Sequence, residues 1–280
     1  MIDDKKIVFC GLPYSGKTTF LGALSYLAER NDDGNSLKLI ELQEQRHFFN
    51  LLADTWVDCE PMMRTKVDSQ DAIEMTLSTS ELKFKVEMPD LSGETWASIW
   101  SEHEMSPAVH DFLTHCTSIA FFIHADQIST PLNLSEENSM LQGGTIREEG
   151  TGQLESWDAS KHASTQAVTV DLLVKASSIM KSTKKRVAVI LSAWDTVSPS
   201  NQSPLDFVRV QMPLLHQYLC SRLDFEDFNI YGVSAQGGCL TQQKMSLLDI
   251  DNPIKRIQVL EDGGVKHNDL TKILSWLINE

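Results

Sequence analysis

Apolar residues recur along this chain with two alternating periods, and the alternation predicts a layered α/β protein. Lys6 to Cys10 is a short apolar run of strand length. Thr18 to Ala28 follows with helical spacing, placing Phe20, Leu21, Leu24 and Leu27 on one side. Leu37 to Leu42 then reads as a strand and Gln45 to Val57 as a helix. Ala72 to Leu77 and Leu82 to Met88 alternate apolar and polar positions, the second with Leu82, Phe84, Val86 and Met88 on one face. The Ser-Thr-Ser tract between them predicts a hairpin. A helical stretch from about Trp96 to His115 leads to the buried strand Ile119 to Ala125. Later segments continue the alternation: a helix over Ala167 to Met180, a strand over Arg186 to Leu191, a helix over Pro204 to Leu223 and a strand over Phe228 to Val233. A last helix, Asn268 to Leu277, opens on Asn268 as its cap and carries the stripe Leu270, Ile273, Leu274 and Leu277. Strands alternating with helices imply a mostly parallel sheet covered on both faces.

One stretch breaks the pattern. From Gln127 to about Ser164 the chain turns polar and rich in Ser, Gly and Glu, which predicts a partly disordered insertion within a single domain spanning residues 1–280. No repeat of solenoid length is visible. An apolar fraction of 41% is enough to build a core in 280 residues. Lys+Arg 24 against Asp+Glu 39 gives a net charge of -15, which repels phosphate backbones and anionic membranes, so nucleic acid and membrane are poor partners. No apolar stretch approaches the ~20 residues of a membrane span. The early apolar strand leaves no room for a secretion signal, and the five scattered cysteines form no C-x-x-C pair. Both features fit a cytoplasmic protein with reduced thiols. His103, His110, His115 and His124 show no paired metal-ligand spacing and are assigned no site.

Chemistry enters at Gly11-Leu12-Pro13-Tyr14-Ser15-Gly16-Lys17-Thr18, which fits G-x-x-x-x-G-K-[ST] between a strand and a helix. In such a loop successive backbone N–H groups converge on a β-phosphate, Lys17 bridges the β- and γ-phosphates, and Thr18 offers its hydroxyl to magnesium. The N–H groups of Thr18 and Thr19 begin the helix, where an anion is favoured. Pro13 contributes no N–H, and Tyr14 lies either along the phosphates or out in solvent. The second motif, Asp90-Leu91-Ser92-Gly93-Glu94, ends the Leu82 to Met88 strand. There Asp90 can hold magnesium through water and the Gly93 N–H can sense a γ-phosphate. At the end of the next long strand stands Ser192-Ala193-Trp194-Asp195, where Asp195 can accept from guanine N1 and N2. Ala193 replaces the lysine whose stem would cover the base, and Trp194 reads better as a core filler. Ser234-Ala235-Gln236 after the last strand is similar to the Ser-Ala-Lys loop whose backbone N–H reads guanine O6 in GTPases.

Taken in order, these four elements resemble the Ras-like GTPases of the TRAFAC class, and among them the prokaryotic double-GTPase families. The terminal Asp269-Leu270-Thr271 and Trp276-Leu277 add to the likeness. The resemblance implies a three-layer Ras-like P-loop NTPase fold: a mostly parallel central sheet with one antiparallel strand, plus an extra strand-helix excursion before switch I. It also implies GTP and GDP as ligands, Mg2+ as cofactor, and a module encoded beside partner proteins in systems associated with anti-phage defence. With one P-loop in the chain, a second GTPase would be a separate polypeptide. Arg64-Thr65 lies where switch I should be, so Thr65 is a magnesium ligand and Arg64 a cation for transition-state charge, as in G-protein α subunits; the alternative for Arg64 is a surface loop position. Glu94 replaces the usual water-positioning glutamine, either as a base acting through water or as an exposed residue favoured by a helix dipole. Three classes stay open: a GTP-hydrolysing switch, a nucleotide-bound scaffold with little hydrolysis, and an ATP-using P-loop enzyme. Asp195 and Ser234-Ala235 speak against the last.

Overall fold

Strand β1 (Lys6–Gly11) lies between β4 (Lys83–Met88) and β5 (Ser118–His124) and runs parallel to both, Val8 standing opposite Glu87 on one side and Ile119 on the other. The computed structural model describes residues 5–30, 37–41, 45–62, 73–79, 82–89, 93–131, 163–197 and 202–279. Around β1 the sheet is completed by β2 (Lys38–Glu41), β3 (Ile73–Ser78), β6 (Arg186–Ser192), β7 (Asp227–Ser234), β8 (Gln258–Leu260) and β9 (Lys266–His267), in the order β2-β3-β4-β1-β5-β6-β7-β8-β9. The five strands from β4 to β7 are mutually parallel. β3 runs against them in the expected hairpin with β4, and the β8–β9 hairpin adds a second reversed strand, β8, at the far edge.

Parallel strands buried on both faces read as continuous apolar runs, whereas β3 alternates, with Ile73, Met75 and Leu77 buried and Glu74 exposed. Helices α1 (Lys17–Glu29), α2 (Arg46–Val57) and α9 (Thr271–Ile278) cover one face. The other is covered by α3 (Glu94–Glu102), α4 (Pro107–His115), α5 (Thr165–Ile179), α6 (Pro204–Gln211) and α7 (Pro213–Ser221). Three layers result. A further helix, α8 (Leu240–Leu248), follows β7, and neither it nor the β8–β9 hairpin was anticipated from hydropathy: α8 buries only Leu247 and β8 is three residues long.

Three other boundaries differ from the sequence expectation, each for a local reason. The helical stretch Trp96 to His115 is two helices, because Ser106 caps α4 by accepting from the Val109 N–H at 3.3 Å and Pro107 begins it. The stretch Pro204 to Leu223 is likewise split at Pro213, which has no N–H to continue α6. Asn268 does not cap α9. Its amide donates to the Ile257 carbonyl, while Asp269 Oδ1 accepts from the Thr271 N–H at 2.8 Å.

Beneath the phosphate loop, Phe9 of β1, Phe20 of α1 and Phe122 of β5 form a triangle with ring centroids 5.1 to 5.7 Å apart. Such pairs contribute ~0.5–1.5 kcal/mol each beyond area burial, so the strand, the helix and the neighbouring strand are held as one seat. No disulfide forms among the five cysteines. Burial pushes the Cys116 thiol up to about 12, with Glu87 adding to the effect, and Cys10 is raised as well. The segment expected as an insertion lies mostly outside the described residues, but its flanks are in view: Ser129 and Thr165 exchange two hydrogen bonds, both at 2.9 Å.

Candidate functional site

The loop Gly11 to Thr18, the Ser192–Asp195 segment and Ser234-Ala235 follow the carboxyl ends of β1, β6 and β7, the edge where open α/β sheets bind ligands, and Gly93 is the described part of the second motif that meets them. The loop Gly11 to Thr18 joins β1 to α1. Gly16 ends it in the left-handed region at φ 86, and a Cβ there would lie 2.8 Å from both Cβ and Oγ of Ser192 at the tip of β6. On its other side Gly93, at φ 79, presses against the same loop: a Cβ would lie 2.5 Å from the Leu12 carbonyl carbon and 2.6 Å from the Pro13 nitrogen. Glycine at both positions is therefore a packing requirement. The contacts bring together three peptides that are far apart in sequence.

Lys17 is 2% exposed, and its Nζ donates to the Gly11 carbonyl at 2.8 Å, the Leu12 carbonyl at 3.0 Å and Ser15 Oγ at 3.3 Å. The ammonium thus lies within the curl of the loop, and Ser15 is buried beside it. Among the described residues no side chain caps the first N–H groups of α1, and its first turn holds no acidic residue, which suits the backbone N–H groups of Thr18 and Thr19 to an anion. Thr18 and Thr19 are half-buried. Tyr14 is exposed and adopts φ 61, a left-handed conformation that costs ~1–2 kcal/mol for a residue with a Cβ. Of its two expected placements the ring takes the solvent side.

Glu94 is exposed in the first turn of α3, directly after Gly93. Arg64, Thr65 and Asp90 lie outside the described residues. Asp195 is exposed in a single helical turn, Trp194–Val197, that follows β6. Trp194 fills a core gap: it is 6% exposed, meets Phe207 edge-on at 5.2 Å, and covers Gly232 so closely that a Cβ there would lie 2.5 Å from the indole. Ala193 reaches this turn through φ 51. At the end of β7, Ser234 is buried and its Oγ accepts from the Gly237 N–H at 3.1 Å, which tightens the loop carrying Ala235.

Two residues to which the sequence assigned no role stand at this edge. His124 ends β5 opposite Ser192, and its Nδ1 is buried with no hydrogen-bond partner among the described residues. Burial lowers its pKa while Asp126 and Asp195 pull the other way. The second is Trp56 of α2, whose indole reaches the Ala235 carbonyl. A lone His and a helix Trp carry no spacing signal, and only the tertiary fold reveals their positions.

A family model described as Double-GTPase 1 matches residues 8–277. The chain belongs to the Double-GTPase 1 family. The match runs from β1 to α9 and so includes every motif above. Among solved structures, this Double-GTPase 1 member is similar to a nucleolar GTP-binding protein 1 from Plasmodium falciparum, at 14% identity over 88% of this chain and 84% of that one, with a TM-score of 0.40. It is also similar to the Arl6 BBS3 small GTPase from Trypanosoma brucei with bound nucleotide analogue, at 13% identity over 88% of this chain and 95% of that one, with a TM-score of 0.35. No curated protein matches the Double-GTPase 1 chain. Among the described residues no helix is long and apolar enough to cross a membrane.

Proposed function

We propose that this chain binds GTP and GDP with magnesium and hydrolyses GTP as a switch. One observation carries the reading: a loop of P-loop sequence, with its lysine buried in the curl, is gripped between Gly93 of the D-x-x-G turn and Ser192 of the base-reading segment. Gly11, Tyr14, Ser15, Gly16, Lys17, Thr18 and Thr19 form the phosphate cradle, where the uncapped N-terminus of α1 suits an anion. Asp195 and the Ser234-Ala235 loop take the guanine edge. The hydroxyls of Thr18 and Thr65 with the Asp90 carboxylate make the hard oxygen set that magnesium prefers; the ion, when bound, offsets charge on the β- and γ-phosphates. Glu94 orients the attacking water, and Arg64 stabilises charge that develops on the γ-phosphate. In this reading the chain works with a protein partner, either a second GTPase or an effector chain, in a cytoplasmic prokaryotic system of the anti-phage kind.

Calorimetry with GTP, GDP and ATP, with and without magnesium, followed by phosphate release, tests the reading. GTP and GDP should bind more tightly than ATP, and chelation of magnesium should weaken GTP. Asp195→Asn should lower GTP affinity about ten- to a hundredfold, since hydrogen bonds to a charged group contribute ~1.5–3 kcal/mol. ATP binding equal to GTP in the unmodified protein would move the assignment to an ATP-using enzyme. The absence of phosphate release would leave a nucleotide-bound scaffold.

Residues 127–164 are proposed as an insertion that the G domain does not need. The Ser129–Thr165 pair already holds the flanks together, and closure entropy changes by only ~0.6 kcal/mol per doubling of loop length. Replacing 132–162 with a short Gly-Ser linker between Pro131 and Ala163 should leave GDP affinity and melting temperature unchanged. An unfolded product would refute it.

A further inference from the structure

The loop after β7 is held by residues from two distant parts of the chain, the end of α2 and the turn before β8. Trp56, fully buried near the end of α2, donates its indole Nε1–H to the Ala235 carbonyl at 2.9 Å. Gln236 reaches back the other way, its Nε2 donating to the Trp56 carbonyl and to Cys59 Sγ, both at 3.3 Å. Behind this pair stands Arg256, 2% exposed, in the 3₁₀ turn Pro253–Arg256. Its guanidinium lies 4.6 Å from the centroid of the Trp56 ring. It donates to the Val57 carbonyl at 3.1 and 3.2 Å and to the Trp56 carbonyl at 3.4 Å. Helix α2 has no basic residue in its last turn, so this cation, supplied from elsewhere in the fold, offsets the negative end of its dipole. Gly237, at φ 89, is in turn pressed onto the Arg256 carbonyl. The loop from Ser234 to Gly237 is therefore clamped between an indole and a buried guanidinium.

The same helix touches the phosphate side. A Cβ at Gly22, midway along α1, would lie 2.8 Å from the Leu52 carbonyl and 3.3 Å from Trp56 Cβ, and the rings of Tyr26 and Trp56 are 5.2 Å apart. Helix α2 thus packs on the helix that begins at the phosphate loop while its end holds the loop after β7.

We propose that Trp56, backed by Arg256 and Gln236, is a positioning residue for base recognition: α2 sets the orientation of the Ala235–Gln236 peptide and through it the grip on a purine. The inference rests on the reading of Ser234-Ala235 as the guanine loop. A planar trans peptide fixes its N–H once its carbonyl is fixed, and the Trp56 bond turns the Gln236 N–H to the side opposite α2. Without that bond the peptide can rotate, and the backbone donors lose their preorganised aim. Phosphate contacts, made by a different loop, are untouched.

The test compares GDP with ADP by calorimetry in the unmodified protein, Trp56→Phe and Gln236→Ala, with melting curves alongside. Trp56→Phe keeps an aromatic ring under Arg256 and removes only the donor and part of the ring volume. It should weaken GDP about tenfold, equivalent to 1.4 kcal/mol, with ADP unchanged, so that the GDP-to-ADP preference falls by the same factor. Gln236→Ala, which removes a half-buried tether and no core group, should move the ratio in the same direction by about threefold, and it decides the matter if Trp56→Phe fails to fold. A merely structural role would lower the melting temperature and both affinities together. If the unmodified protein prefers GDP and neither variant changes the ratio, the positioning role is overturned while the guanine reading stands. If the unmodified protein shows no preference for GDP, the guanine reading itself falls and takes this inference with it.

Discussion

Lys17→Ala is expected to lower GTP affinity at least a hundredfold. The side chain is buried within the loop and makes three hydrogen bonds to it, so its ammonium is held in place before any triphosphate arrives. Removing one partner of a buried charged contact costs ~3–5 kcal/mol, which corresponds to a factor of about 10² to 10³ or more. GDP should suffer less than GTP, because the γ-phosphate contact is absent. The nucleotide-free protein should melt somewhat lower as well, since the Gly11 and Leu12 carbonyls and Ser15 lose their common donor. Calorimetry and a melting curve on the same sample separate the two effects. Unchanged GTP affinity in Lys17→Ala would remove the basis of the whole assignment.

The second large effect concerns chemistry and not binding. If Glu94 orients the attacking water, Glu94→Ala should lower single-turnover hydrolysis by ~10² or more while GTP affinity stays within a few fold. Its place fits that separation, since Glu94 is exposed and the neighbouring Gly93 makes the contact with the phosphate loop. Arg64→Ala should slow the chemical step similarly. Arg64→Lys should rescue little, because a lysine lacks the planar fork that spreads charge over two oxygens. Rapid mixing with labelled GTP gives the rate directly. Unmodified rates in both variants would show that neither residue acts, and a slow intrinsic rate would then point to a scaffold whose arginine arrives from a partner chain.

The central part of this fold was legible in the sequence because buried parallel strands announce themselves as unbroken apolar runs: β1, β5 and β6 fall within a residue or two of their expected ends. The phosphate loop was legible for a different reason. Its glycines and lysine are dictated by local geometry, and the contacts of Gly16 and Gly93 show why no side chain fits. What escaped has two causes, local breaks that apolar spacing does not show and packing between segments far apart in sequence. Pro213 and the Ser106-Pro107 pair divide helices at places where apolar spacing continues without a break. The β8–β9 hairpin is too short to show a period, and its strands exist because β7 offers them an edge. Trp56 reads from sequence as an apolar residue on a helix stripe. Its polar tip acquires a role only when the chain brings Ala235 to it across 179 positions.

That separation has a consequence for how the protein comes into being. Ribosomal synthesis proceeds at ~5–20 residues per second, so roughly 10–40 s pass between the emergence of Trp56 and that of the loop it clamps. Arg256 emerges later still, and Lys5, just before β1, finds the Ile278 carbonyl only when the last helix is made. A growing chain therefore exposes the loop Gly11 to Thr18 long before the loop after β7 exists. During that interval the indole of Trp56 lacks the Ala235 carbonyl and the guanidinium of Arg256 that cover it in the finished fold.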